Sequence, residues 1–478
     1  MIARVSIALG IVLGMLALAS PASAQDGVQH LHYEYGPIQI APGQNTISIE
    51  ENAVKPPVDG WITGFKPNLV RKDGSVPRVD VIHLHHGVWL KNLRPLFAAG
   101  EEKTTFAAPP GFGWRYRTSD KWHMNHMIHN LTPTPEEVYI TYDLDFVPDT
   151  APAAAAMNEI ETVWMDVMGL SAYPVFDARR GTGGKDGRFT YPDEAAMSVP
   201  RKNTWTAPED GALVGTAGHL HPGGLWTDLT LTRDGRSTRL FRSKAKYYEP
   251  AGAVSWDVSM TATPADWRVQ IRKGDVLSVS GTYDTERASW YESMAIMPAM
   301  FDPGGTGNDP FAVDVDVDGA VTHGHLPENE GHGGSRFSGL PDPRGLLARP
   351  VGGGGKVAIQ DFVYGQGDLS STGRRGRPAH VRRGRGLTFV NRDAKRTIYH
   401  TITACRAPCN RTTGIAYPLA DGKVDFDSGE LGFGPAGFTA AANRDTWTTP
   451  KRLKPGTYTY FCRVHPFMRG AFKVKPKR

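Results

Sequence analysis

The stretch YTYFCRVHPFMRG, residues 458–470, holds one of only three cysteines in a chain of 478 residues. Cys462, His465 and Met468 recur at every third position. Before them, Tyr458 and Tyr460 alternate with Thr459 and Phe461, the period of a strand that fixes the direction of the cysteine at its end. A tight loop after such a strand can turn a thiol, an imidazole and a thioether toward one centre. Two His and one Cys in a trigonal set, with a weak axial Met, are the donors of copper electron-transfer sites, and the thiolate is the binding form. The remaining donor has to come from elsewhere. His400, in RTIYHTITAC, lies on another alternating apolar strand. A buried free thiol beside a histidine is the competing reading, and four suitable ligand types in the right order outweigh it. Such a site relays one electron and has no evident open position for a substrate.

The rest of the chain has the same texture. Gly (54) and Pro (36) are abundant, long helical periodicity is hard to find, and short β-branched and aromatic stretches are bounded by Gly, Pro, Asn and Asp. This predicts an all-β protein. Residues 1–24, MIARVSIALGIVLGMLALASPASA, have a positive start at Arg4, a short apolar run and a small-residue cleavage site, which is the pattern of a secretory signal. The run is short for a membrane span, and no later stretch is apolar for long enough to cross a bilayer. The expected mature protein starts at Gln25, lies outside the cytoplasm as a periplasmic or secreted chain, and at about 454 residues has room for roughly three domains. Its formal charge falls from +5 to +4 once Arg4 is removed, too little to argue for a nucleic-acid partner. Cys405 and Cys409 sit close together in CRAPCN, so a local disulfide is the first choice and two free thiols the alternative. Cys462 is left over in either case.

Two further constellations carry metal-type donors. VDVIHLHHGVWL supplies His83, His85 and His86, and WHMNHMIHNLTP supplies His123, His126 and His129, so six of 16 histidines fall within 47 residues. A lone histidine is more often structural; HLHH facing a second His-rich strand points to a three-histidine site. GTAGHLHPGGLW then places His219 and His221 on one face of a strand. Met294 and Met297 follow in WYESMAIMPAM. Methionine there is usually core filler, but two imidazoles and one thioether make a site able to hold Cu(I) with a position left for dioxygen.

The segments KVAIQDFVYGQGDLS, LTFVNRD, YHTITAC and GTYTYFCRVHPFMRGAFKV together resemble the cupredoxin (plastocyanin-like) family over about the last 120 residues. That resemblance implies a Greek-key β-sandwich with a type 1 copper at His400, Cys462, His465 and Met468. Residues 40–300 resemble, at the level of motifs, the copper type II, ascorbate-dependent monooxygenases of the peptidylglycine α-hydroxylating and dopamine β-monooxygenase family. The resemblance implies two consecutive jelly-roll-like β-sandwiches facing each other across a solvent cleft. It places an electron-supplying copper at His85, His86 and His129, and an oxygen-binding copper at His219, His221 and Met294, with the latter three as the catalytic set. His83, His126 and Met297 are candidates that could replace an assigned ligand. Two features depart from the family. The stretch has no cysteine to staple it, and the arginine that holds a peptide carboxylate is replaced by Ala217, which argues against a peptidylglycine substrate.

The expected organisation is a signal at 1–24, sandwiches at 25–150 and 151–300, a Gly-, Pro- and Asp-rich linker at 301–355 and the cupredoxin-like domain at 356–478. Within the linker, His323, His325 and His332 read first as part of a solvated tract and second as an accessory metal-binding one. DVDVDG lacks the spacing and closing glutamate of a calcium loop. Six arginines at 374–385 read as a solvated strand pair and turn rather than a docking face for an acidic partner. The assembled expectation is a copper monooxygenase with one type 1 and two type 2 coppers. It takes electrons from a redox partner or small-molecule reductant and acts with dioxygen on an unknown organic substrate. The alternative is a non-catalytic electron-transfer or copper-binding protein.

Overall fold

The computed structural model describes residues 27–79, 81–169, 174–179, 181–193, 204–248, 257–286, 290–329, 351–368, 377–405, 424–432, 444–465 and 468–477. The protein is all-β: among the described residues 53% lie in strands and 3% are helical. Among the described residues, helical turns are confined to three short 3-10 segments, and no helix is long and apolar enough to cross a membrane. Residues 1–24, Cys409, His332, Arg374 and Arg375 lie outside the described residues, and with them the expected signal and disulfide.

Three sandwiches follow one another. In the first, one sheet runs Gln29–Ile40, Glu136–Pro148, Gly60–Arg71, Phe112–Tyr116 and Asn158–Glu159, and the facing sheet runs Asn45–Glu50, Trp122–Asn130, Ile82–Lys91 and Arg94–Ala99. Their inner faces meet in an aromatic core where Phe65 stacks on Phe97 at 4.5 Å and meets Trp89 edge-on at 4.7 Å. The second packs a four-stranded sheet through Gly211–Thr216 and Ala299–Pro303 against a seven-stranded one built on Gly224–Arg233, Arg236–Tyr247 and Val276–Asp284. The third has a four-stranded sheet around Lys356–Gln360 and Thr388–Asn391 and a five-stranded one in the order Ala379–Arg382, Arg469–Lys475, Gly456–Phe461, Thr403–Cys405 and Val424–Asp427.

The sandwiches share buried surface. Ala212 and Val214 of the second enter the core of the first, Leu131 of the first enters the core of the third, and Phe461 of the third enters the core of the second. The stretch expected as a linker also packs in part: Val315 is buried in the second core, and Ala320–Val321 pairs with Val258–Ala262.

One irregularity positions the histidines. Strict alternation along Ile82–Lys91 with Leu84 inward would turn Trp89 outward, yet both belong to the first core. A register shift between Leu84 and His86, against the Trp122–Asn130 strand, supplies the missing residue. His85 and His86 therefore both leave the sheet on the face covered by the other two sandwiches.

Candidate metal centre and histidine cleft

Cys462 follows the Gly456–Phe461 strand, and its alternation sends Tyr460 and Cys462 into the third core. The loop closes on itself: the Met468 N–H donates to the His465 carbonyl at 2.9 Å, and the Cys462 N–H to the Met468 carbonyl at 3.1 Å. This brings Cys462 Sγ within 3.7 Å of His465 Nδ1 and 3.9 Å of His400 Nδ1, with the two nitrogens 3.2 Å apart. A triangle with sides of 3.2, 3.7 and 3.9 Å has a circumscribed circle of radius about 2.1 Å. That matches metal–imidazole and metal–thiolate distances of about 2.0–2.3 Å, so the three donors would fit one ion. Met468 is fully buried beside them.

The surroundings prepare these donors. His400 Nε2 donates to Asp393 Oδ2 at 3.0 Å, which fixes the ring and leaves Nδ1 for the centre. The Thr401 and His465 N–H groups each donate to Cys462 Sγ at 3.3 Å. Burial pushes the thiol up, but the His400 contact and these two donors outweigh it and hold the thiol below its ordinary range. Burial, then the neighbouring His400 and His129, holds His465 far below the usual histidine range, so its ring is neutral. Among the described residues this is the one group with three His, Cys, Asp or Glu ligand atoms all within 4.8 Å of one another.

This candidate centre faces the first sandwich. The His465 ring meets that of His129 at 6.4 Å and 79°. His129 lies opposite His83 across the ladder, with ring centroids 5.2 Å apart, and 6.0 Å from His85. His85 in turn meets His221 of the second sandwich at 4.4 Å. His221 Nδ1 donates to the Glu292 carbonyl at 2.7 Å, and Glu292 adopts a left-handed backbone (φ 53°) to present it. Burial first, then the neighbouring rings, holds His85 and His221 well below the histidine range; burial takes His86 down to about 3 and His83 to about 4. Neutral imidazoles are the form that binds metal.

The other candidates are distributed around this row. His86 and His219 line a second small apolar pocket with Met294 and Ile296. His219 Nδ1 is 2.9 Å from Glu102 Oε1, and His86 Nε2 is 3.4 Å from Asn125 Oδ1. His126 lies on the opposite face of its strand, against Tyr35 at 5.6 Å, and Met297 is buried in the second core. His123 is only partly buried at the outer end of the same strand. The cleft expected between the first two sandwiches is narrow. It is a cavity of about 40 Å³ lined by His85, His129, His221, Glu292, Glu430 and Arg463 among others, room for one or two water-sized molecules.

Several supporting residues were not visible as such in the sequence. Asp393, seven positions before His400, and Glu102, in the plain run GEEK, carry no local signal of their role. The tract at 323–325 was read as solvated, but His323 meets the Glu102 carbonyl and His325 pairs with buried Asp257. Arg382, Arg383 and Arg385 are exposed around a groove they share with Lys477, as expected of a solvated turn.

No family model matches the sequence, and no curated protein matches it. Solved structures offer distant likenesses. A copper-containing nitrite reductase from Thermus scotoductus SA-01 shares 15% identity over 57% of this chain and 59% of its own, with a TM-score of 0.16. This chain therefore spans about three-fifths of that enzyme. A protein of Sulfolobus Turreted Icosahedral Virus shares 9% identity over 63% of this chain and 100% of its own, with a TM-score of 0.12. Tandem CBM51 modules of a Streptococcus pneumoniae glycoside hydrolase share 8% over 55% and 83%, with a TM-score of 0.14. Superpositions at these scores carry no argument about activity. What stands is an all-β chain with a candidate His/Cys/His metal site.

Proposed function

We propose that this chain is an exported copper redox protein in which the Cys462 centre passes single electrons into the histidine cleft, where dioxygen is activated as in a copper-dependent monooxygenase. Two His and one Cys in a triangle beside a buried Met favour copper over other metals, because soft sulfur donors and a trigonal in-plane set suit it. Copper there supplies reversible one-electron chemistry. The observation that carries the relay is the edge contact of His465 with His129, which sets a ring of the candidate metal centre against a ring of the cleft. His400 is held by Asp393, and Cys462 by two N–H donors, so the donor set is rigid before and after an electron moves. The neutral imidazoles of the cleft offer nitrogen donors, Glu292 and Glu430 border them with carboxyl groups able to hold a proton, and Arg463 adds a fixed positive charge. The protein's part is otherwise geometry and access.

The test is oxygen uptake by copper-loaded mature protein given a one-electron reductant, beside Cys462→Ser. Uptake that depends on Cys462 supports the reading. A thiolate–copper absorption that bleaches with the reductant and recovers only when a one-electron oxidant such as ferricyanide is added, with no oxygen consumed, would leave only an electron carrier. That second reading is favoured by one observation: of the described residues, only His400, Cys462 and His465 already converge as three donors.

A further inference from the structure

The sequence groups the cleft histidines by domain. The geometry points to a different grouping: two metal centres that each straddle the boundary between the first two sandwiches, one held by His85, His129 and His221, the other by His86, His219 and Met294. This rests on the copper redox reading above and specifies which side chains share an ion.

Three observations carry it. The first is the splay of His85 and His86. They are adjacent in sequence, but the register shift that turns both outward also separates them, with rings 6.0 Å apart and 71° between their planes. They enter different cavities: His85 lines one with His129 and His221, and His86 lines the other with His219 and Met294. The second is distance. At the Cys462 centre, two rings whose nitrogens are 3.2 Å apart have centroids 5.0 Å apart, a yardstick for rings sharing one ion. The His85–His221 pair, across the domain boundary, lies at 4.4 Å, nearer than the same-domain pair His219–His221 at 5.1 Å; His85 stands 6.0 Å from both His86 and His129, and of these two only His129 shares its cavity. The third is the set of ring nitrogens left for a ligand. His221 spends Nδ1 on the Glu292 carbonyl, and its buried Nε2 has no hydrogen-bond partner; buried His85 Nδ1 and His219 Nε2 have none either. Uncompensated buried polar atoms are costly, and three in facing rings are accounted for by cations.

The two centres differ in chemistry. Three imidazoles suit a borderline ion such as Cu(II), whereas two imidazoles with a thioether, walled by Val88, Ala98 and Ile296, favour Cu(I). Only the first adjoins the Cys462 centre, through His129. Loading is expected to rotate the rings inward, since their nitrogens have not yet converged as those of His400 and His465 have.

The experiment counts copper and records electron paramagnetic resonance and copper-edge X-ray absorption on the mature protein and on His129→Ala, His221→Ala, His86→Ala and Met294→Leu. The thiolate–copper absorption at Cys462 reports in each sample that the fold is intact; where an alanine variant loses it, the glutamine variant takes its place. The expected result is that His129→Ala and His221→Ala abolish the same type 2 signal and spare the copper–thioether scattering. His86→Ala and Met294→Leu abolish that scattering and spare the signal. If His129 pairs with His86 and His221 with Met294, the straddling arrangement is overturned while the copper redox function stands. Copper at Cys462 alone in the unmodified protein overturns the straddling centres together with the oxygen-activating reading, and leaves the electron carrier.

Discussion

His465 and His129 come from sandwiches more than 300 positions apart in sequence and meet edge to face at 6.4 Å. In His129→Leu this contact is lost, while His400, Cys462 and His465 keep their positions. The thiolate–copper absorption is expected to be unchanged, and its reoxidation by dioxygen slowed. Stopped-flow spectroscopy after anaerobic reduction checks this. An unchanged rate would place the electron route elsewhere.

Asp393 acts at one remove from the metal. Its carboxylate accepts the His400 Nε2 proton and also the N–H groups of Asp361 and Phe362 at 2.8 and 3.1 Å. Asp393→Asn keeps the shape and loses the charge. Copper affinity at the Cys462 centre is expected to fall by about 10–100-fold, the usual effect of removing an outer-shell partner. Competition with a copper chelator gives the ratio.

The register shift at His85 makes a prediction about deletions. Removing His85 restores strict alternation: Leu84 stays inward, His86 turns out, and Trp89 still faces the core. The chain should fold, keep the Cys462 absorption and bind less copper. Removing Gly87 instead keeps the extra residue and turns Trp89 outward, at a cost of the order of a Trp→Ala change, about 3–5 kcal/mol. Urea unfolding of the two deletions separates them.

Glu101 is fully buried, and neither of its carboxylate oxygens has a hydrogen-bond partner. Burial, then neighbouring Glu102, holds its carboxyl well above the usual range. The unfolded chain therefore ionises at lower pH than the folded one, and folding stability falls as pH rises from about 4.5 toward the folded-state value. Glu101→Gln removes this linkage. Its melting temperature relative to the unmodified protein should rise with pH between 5 and 8; a constant difference would contradict the assignment.

The meeting of Cys462 with His465 was legible because both come from one loop, where spacing alone brings them together. His400 was legible as a donor but not in its setting: it was expected on an alternating strand, and it stands outside the named strands, in an isolated bridge to Leu431 between the Asp393–Arg396 turn and Thr403–Cys405. The histidines of the first two sandwiches were legible as donors but not as neighbours. Whether His85 faces His86 or His221 depends on a register shift against another strand, and that is a property of the pairing and not of HLHH itself. Glu102, Asp257 and His323 were invisible for a related reason: their contacts join segments more than 60 residues apart, and nothing local marks them. The all-β class needed only alternation and turn residues, which are short-range.

The three sandwiches lend one another core residues, and the third supplies Thr401, Glu430, Arg463 and Val464 to the wall of the cleft. The histidine face of the first two sandwiches is thus an interior only because the third is docked on it: a shortened chain that stops before Thr401 would present those imidazoles to water.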